Sequence, residues 1–207
     1  MKIYLDPLEG ITGYTYRRAL HQCFGGFDKY FIPFILPNQK GHLSTREKKD
    51  IAPENNEGMY AVPQILTKNA EDFIRTAETL QEYGYNEVNL NLGCPSKTVV
   101  TKGRGTLRNP ALAREIRGGA PASKEEIRRF HDIMYNEYCE DLSGDRNILF
   151  RMKELWSYLI PMFTNNKKYA KKKTEKCVVY ESAVRELFSC EQLIDSNDDS
   201  EKITGTL

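Results

Sequence analysis

Cysteine is scarce in this sequence and unpaired in pattern. The five cysteines, Cys23, Cys94, Cys139, Cys177 and Cys190, are odd in number and form no Cys-x-x-Cys pair. That argues against a disulfide framework or a structural zinc site as the organising device, and it fits a reducing, cytoplasmic setting. Net charge is equally scant. Charged residues make up 29% of the chain yet cancel to +1, so overall charge argues neither for nor against a polyanionic partner, and only its distribution can. No window approaches eighteen apolar residues, so no membrane span is expected. The opening Met1-Lys2-Ile3-Tyr4-Leu5-Asp6 lacks the long apolar run of a signal peptide. There is no internal repeat. What is present is 40% apolar residues across 207, enough for one packed domain with a smaller appendage.

Read in order, the first half alternates between strand and helix patterns. Lys2 to Leu5 predicts a short strand, Thr15 to Gln22 a helix, and Tyr30 to Ile35 a second strand disturbed by Pro33. Residues 36–58 are polar, punctuated by Pro37, Gly41, Pro53 and Gly58, and read as a long excursion. Tyr60 to Leu66 predicts a third strand. Ala70, Phe73, Ile74, Ala77 and Leu80 recur at helical spacing, and Gly84 ends that helix. Glu87 to Leu92 is a fourth strand. Alternation of this kind implies βα units and a parallel sheet. From Ser123 the pattern turns all-helical. Ser123 and Glu126 form a capping box for a helix to about Glu140, a second helix runs from about Arg146 to Phe163 with Pro161 near its end, and a third spans Val178 to Phe188.

The stretch that carries chemistry is Asn89-Leu90-Asn91-Leu92-Gly93-Cys94-Pro95-Ser96. A lone cysteine is more often a small buried hydrophobe. Here glycine before it and proline after it fix the backbone at the carboxyl end of a strand, where ligands gather in α/β proteins. A second candidate is Gly103-Arg104-Gly105, followed by Asn109-Pro110, whose glycines permit close approach of backbone to an anion. By itself Gly-x-Gly is more often a plain loop. The run of Lys167, Lys168, Lys171, Lys172 and Lys173, with Arg128-Arg129, is a basic stripe. Such a run is usually a solvated surface, and less often a phosphate-binding face.

The Asn89–Ser96 stretch resembles the signature of the tRNA-dihydrouridine synthases. Pro7-Leu8-Glu9-Gly10-Ile11-Thr12-Gly13 and Val62-Pro63-Gln64-Ile65 resemble that family's flavin-contacting segments, and Gly103-Arg104-Gly105 resembles its phosphate-binding turn. The resemblance implies FMN-dependent reduction of uridine to 5,6-dihydrouridine in tRNA. Reduced FMN would deliver hydride to C6, Cys94 would protonate C5, and NADPH or NADH would be the reductant. It assigns Pro7, Leu8, Glu9, Gln64, Gly103 and Arg104 to the cofactor, Asn91 to the base pocket, and Arg128, Lys167, Lys168 and Lys171 to tRNA. The sequence departs from the family at Asp6, where a small residue is usual; a carboxylate there would disfavour a reduced, anionic flavin.

The resemblance also falls into two blocks. Residues 1–102 resemble four βα units, and residues 106–190 resemble the last barrel helix and a helical domain. The four strands that the family has between them are absent, as by an internal deletion joined at Gly103–Gly105. A lysine and a histidine expected to hold the flavin and its phosphate fall in the missing part, and His42 and His131 do not stand in matching context. The expected architecture is therefore α/β: a partial (β/α)8 (TIM) barrel of about four βα units over residues 1–120, with a small all-α domain over 121–190 and a disordered tail over 191–207. Missing strands weigh against efficient turnover by one chain. An oligomer in which half barrels pair is one expectation; a catalytically inactive remnant that keeps weak tRNA binding is the alternative.

Overall fold

The computed structural model describes residues 1–37, 42–92, 105–166, 169 and 174–194. These described residues fall into two compact units, one drawn from the ranges 1–106 and 110–121, the other from 107–109 and 122–194.

In the first unit, strand β1 (Tyr4–Leu5) leads through helix α1 (Tyr14–Cys23) to β2 (Lys29–Phe31). Helix α2 (Thr45–Ile51) follows, then β3 (Ala61–Val62), β4 (Gln64–Leu66), helix α3 (Ala70–Glu82) and β5 (Asn89–Asn91). Every pairing among these strands is parallel: β1 with β2, β2 with β3, and β4 with β5. The expected third strand is thus divided at Pro63. Proline has no N–H to give a ladder, and here its carbonyl accepts from Asn89 N at 2.8 Å. The run changes neighbours at that point, β3 facing β2 and β4 facing β5.

The region expected to be a long excursion contains α2, which corrects the sequence reading. Ser44 Oγ accepts from Glu47 N at 3.2 Å, and the Glu47 carboxylate accepts from Ser44 N at 2.7 Å. This reciprocal cap satisfies two donors that a helix start leaves orphaned. Helix α3 starts on Asn69, whose side chain accepts from Glu71 N and Asp72 N, and it ends at Gly84 with φ at 90°. Ile32, Ile35, Ile51 of α2, Ile65 of β4 and Leu80 of α3 are buried together in one cluster. Each contributes about 1.5–3 kcal/mol relative to an exposed position.

Two short helices follow the strands in sequence: α4 (Gly105–Arg108), whose last two residues belong to the second unit, and α5 (Leu112–Ile116), which belongs to the first. Helix α5 docks on the α1–β2 turn. Gly26 sits there at φ 84°, and a Cβ on it would stand 3.0 Å from Arg114 N. Arg117 donates to Gly26 O at 2.9 Å and to Asp28 at 2.6 Å.

The second unit is built on α6 (Lys124–Asp141), α7 (Asp145–Leu159) and α8 (Cys177–Cys190). Ile127, Phe130, Met134, Leu149, Met152, Leu155, Val184 and Leu187 form its core. Pro161 falls in a 3-10 turn, Ile160–Met162, just past the end of α7. His131, buried in this core, lies between Tyr180 Oη at 2.6 Å and Asp132 Oδ1 at 2.8 Å, and Trp156 Nε1 donates to the same Tyr180 oxygen at 2.8 Å. Burial holds the His131 imidazole below its ordinary pKa, and Asp132 opposes that shift. Residues 191–194, assigned to the disordered tail from sequence, are instead ordered. Leu193 pairs with Phe163, and the buried Glu191 carboxylate accepts from Thr164 and Asn165 at 2.9 Å each.

Candidate active site

Alternation along parallel strands sends successive side chains to opposite faces. Leu5, Tyr30 and Ile65 turn to the helices and are buried. The residues between them, among them Tyr4, Lys29, Gln64, Asn89 and Asn91, share the other face. On that face three amides form a row. Gln64 Nε2 donates to Asn89 Oδ1 at 3.0 Å, and Asn91 Nδ2 donates to Gln64 Oε1 at 2.9 Å. The register places Gln64 beside Asn89, and Leu66 beside Asn91, so the row follows from strand pairing. An amide has two N–H donors and two lone pairs. Gln64 therefore has one N–H and one lone pair beyond the bonds of the row, the kinds of group that the C=O and N–H of a flavin or pyrimidine edge can engage.

The segment after β1 is locked from behind. Thr12 N and Ile11 N donate to Leu8 O at 3.0 and 3.1 Å, and Leu8 N donates to Thr12 Oγ1 at 2.7 Å. Gly10, at φ 80°, permits the turn. Thr12 O in turn accepts from Arg17 Nη1 at 3.0 Å. Arg17 is fully buried, and its Nη2 donates to Asp50 O at 2.7 Å and Asn56 Oδ1 at 3.0 Å. Asp50 Oδ1 accepts from Tyr14 N at 2.6 Å and supplies the cap that Gly13, with no side chain, does not. A Cβ at Gly13 would come within 3.3 Å of that oxygen. Burial pushes the Asp50 carboxyl up, with Arg17 opposing.

Of the cofactor positions suggested by sequence, Pro7, Leu8 and Glu9 lie on this locked turn. Glu9 is ion-paired with Arg46 of α2. Gln64 and Asn91 are brought into direct contact. Cys94, Gly103, Arg104, Lys167, Lys168 and Lys171 lie outside the described residues. Arg128 belongs to the other unit, where its Nε bonds both Asp132 oxygens at 2.8 and 2.9 Å and its guanidinium lies 5.2 Å from the Phe188 ring centre. Sequence reasoning passed over Asn89, although its spacing of two from Asn91 puts both on one face. It also passed over Arg17 and Asp50, for which no local signal exists. Among the described residues, no cluster of three or more His, Cys, Asp or Glu side chains is placed to hold a metal, and no helix is long and apolar enough to cross a membrane.

Residues 4–118 match the family described as dihydrouridine synthase. Among curated proteins, the chain is 29% identical over 117 residues to tRNA-dihydrouridine synthase B of Pasteurella multocida, an alignment covering 56% of this chain and 34% of that one. It is 32% identical over 136 residues to tRNA-dihydrouridine(16) synthase of Pseudomonas putida, covering 59% and 41%. A probable tRNA-dihydrouridine synthase of Staphylococcus aureus is 26% identical over 157 residues, covering 68% and 47%. The chain thus spans between a third and a half of the length of these relatives. No solved structure matches.

Proposed function

The chain belongs to the dihydrouridine synthase family, and from that premise we propose that it carries the cofactor-facing half of a tRNA-dihydrouridine synthase. Its first unit is read as four βα units of a (βα)8 barrel, its second as the helical tRNA-binding domain. The proposed reaction reduces uridine in tRNA to 5,6-dihydrouridine, with FMN as the resident redox group and NADPH or NADH as the source of electrons.

The observation that carries this reading is the row Asn91–Gln64–Asn89, whose Asn91 stands three residues before Cys94 in sequence. The row suits the ring half of a flavin, because the Gln64 amide has one N–H and one oxygen lone pair beyond its bonds to Asn89 and Asn91. FMN, when bound, supplies the hydride that C6 of the uracil receives. Gln64 orients the ring edge, and the turn at Pro7, Leu8 and Glu9 forms a rigid wall because Thr12 and Arg17 hold it from behind. Asn91, hydrogen-bonded to Gln64, links the position of the base to that of the ring. Cys94 gives its proton to C5. A thiol with a pKa of about 8.5 is mostly protonated at neutral pH and can act as that acid. Gly103 and Arg104 are the proposed phosphate turn. Lys167, Lys168 and Lys171 are the proposed tRNA contacts, with Arg128 contributing only if it is shared with Asp132.

The test is an FMN titration of the purified chain followed by flavin fluorescence. Binding that Gln64→Leu weakens by roughly 10-fold, the worth of one hydrogen bond, supports the reading. A chain with no affinity for FMN removes it. In an assay of dihydrouridine formation on tRNA, Cys94→Ala is expected to abolish product while FMN binding stays unchanged. The helical unit has a core of its own, which supports a second reading: an inactive remnant that still binds tRNA. That reading expects salt-sensitive tRNA binding, weakened when the lysine run is neutralised, with no flavin bound.

A further inference from the structure

We propose that two copies of this chain close one eight-stranded parallel barrel about a twofold axis running along the strands, with β1 of each copy pairing β5 of the other. The proposal rests on reading the first unit as four barrel strands, and it does not depend on flavin or tRNA.

Three observations point to it. The first is topological. The strand runs β1, β2, β3–β4 and β5 are all parallel, and among the described residues β1 and β5 each have a single strand neighbour. A parallel sheet is ordinarily covered on both faces. A twofold along the strand direction sets β1 beside β5 of the partner in parallel sense, twice, and leaves no edge. Twice four runs is the number at which a barrel interior is filled by side chains, and a closed twofold stops at two chains.

The second is a staggered cluster of side chains across the open face. Tyr4 is level with Lys29, and Tyr30 with Ala61, so Lys29 is level with Tyr60. Tyr60 Oη donates to Glu87 Oε2 at 2.8 Å, and Lys29 Nζ donates to the same oxygen at 2.7 Å. Lys29 Nζ also lies 5.8 and 5.0 Å from the Tyr4 and Tyr60 ring centres. Across the four strand runs the order is therefore aromatic, cation, aromatic, anion, with Glu87 displaced along the strand direction by the two residues that separate it from Asn89, the partner of Gln64. The twofold repeats it without a clash of like charges, because Tyr4 at one edge meets the partner's carboxylate at position 87. The Tyr4 hydroxyl then repeats the bond that Tyr60 makes within the chain.

The third is on the outer face. Leu90 is in register with Ile65, yet Ile65 is 0% exposed and Leu90 is 47% exposed. At the opposite flank, α5 is anchored on the α1–β2 turn with its Ile116 50% exposed. The pairing of β1 with the partner's β5 brings these two apolar surfaces to the same seam.

The measurement is the mass of the full chain by sedimentation equilibrium, from about 1 to 50 µM, a range that spans ordinary homodimer affinities. The expected species is a dimer, twice the 23.9 kDa chain mass. Tyr4→Phe removes the two symmetry-related hydroxyl bonds and should raise the dimer Kd roughly 100-fold. Leu90→Glu replaces an exposed side chain, so it should leave the far-ultraviolet circular dichroism intact while giving a monomer. A wild-type chain that stays monomeric throughout overturns the proposal. So does a dimer that neither variant weakens, or a series of higher oligomers, since neither arises from this closed seam. Failure here leaves the FMN titration to judge the proposed function separately.

Discussion

Arg17→Met tests whether the turn at Leu8–Thr12 is held by a buried guanidinium. The substitution keeps most of the aliphatic stem and removes the charged head. Thr12 O and Asn56 Oδ1 lose their Arg17 donors at 3.0 Å each, and Asp50 O loses one at 2.7 Å while keeping Asn56 Nδ2 at 2.9 Å. Asp50 also loses a guanidinium 3.5 Å away while its own side chain is only 7% exposed. An orphaned buried acceptor costs about 1–3 kcal/mol, though backbone carbonyls that relax toward other donors recover part of this. Removing one member of a buried charge pair costs about 3–5 kcal/mol. These two costs describe the same lost contacts and do not add, so the expected destabilisation is about 3–5 kcal/mol. In urea unfolding, with a slope of about 2 kcal/mol/M, that is a midpoint lowered by roughly 1.5–2.5 M. The control is Arg46→Met. Its ion pair with Glu9 joins side chains 52% and 39% exposed, and exposed pairs are worth about 0–1 kcal/mol. If both variants shift the midpoint equally, or Arg17→Met shifts it by less than about 0.5 M, the buried network is not what holds the turn.

Gly26→Ala combines a φ of 84° with a Cβ placed 3.0 Å from Arg114 N and 3.2 Å from Ala113 C, both backbone atoms. A loss of about 1–3 kcal/mol is expected, read as a lower melting temperature; an unchanged one would show that α5 moves away freely. For His131, burial lowers the folded pKa, so the folded state favours the neutral ring. That contribution is complete above the unfolded value of about 6.5 and is lost as pH falls below it toward the folded pKa, at up to about 1.4 kcal/mol per pH unit. Urea midpoints measured from pH 7.5 down to 5 should therefore fall, and His131→Gln should flatten the part of the slope that His21, also lowered by burial, does not supply. Equal slopes in both proteins would refute the role assigned to His131.

Much of the local structure was legible in sequence because its causes are local. Ser123 and Glu126 define the start of α6, and Asn69 and Gly84 bracket α3, through contacts spanning three or four residues. The Asn89–Ser96 and Pro7–Gly13 stretches carried the resemblance to the family that residues 4–118 match. Ser44-Thr45-Arg46-Glu47 held the same capping signature as α6. It was hidden by proline and glycine on either side and by a helix with only Asp50 and Ile51 buried.

Other features depended on residues that meet only after folding. Arg17 and Arg18 are adjacent and alike in sequence. Arg17 is the buried one because Asp50 and Asn56, 33 and 39 residues away, arrive to receive it. His131 is a core residue because Tyr180, 49 positions later, reaches its ring. The change of partner at Pro63 required both β2 and β5 to be in place. Backbone capping and strand alternation are set by nearest neighbours along the chain. Burying a charge, orienting an imidazole or pairing an edge draws its free energy from groups distant in sequence, and only the tertiary structure brings those together.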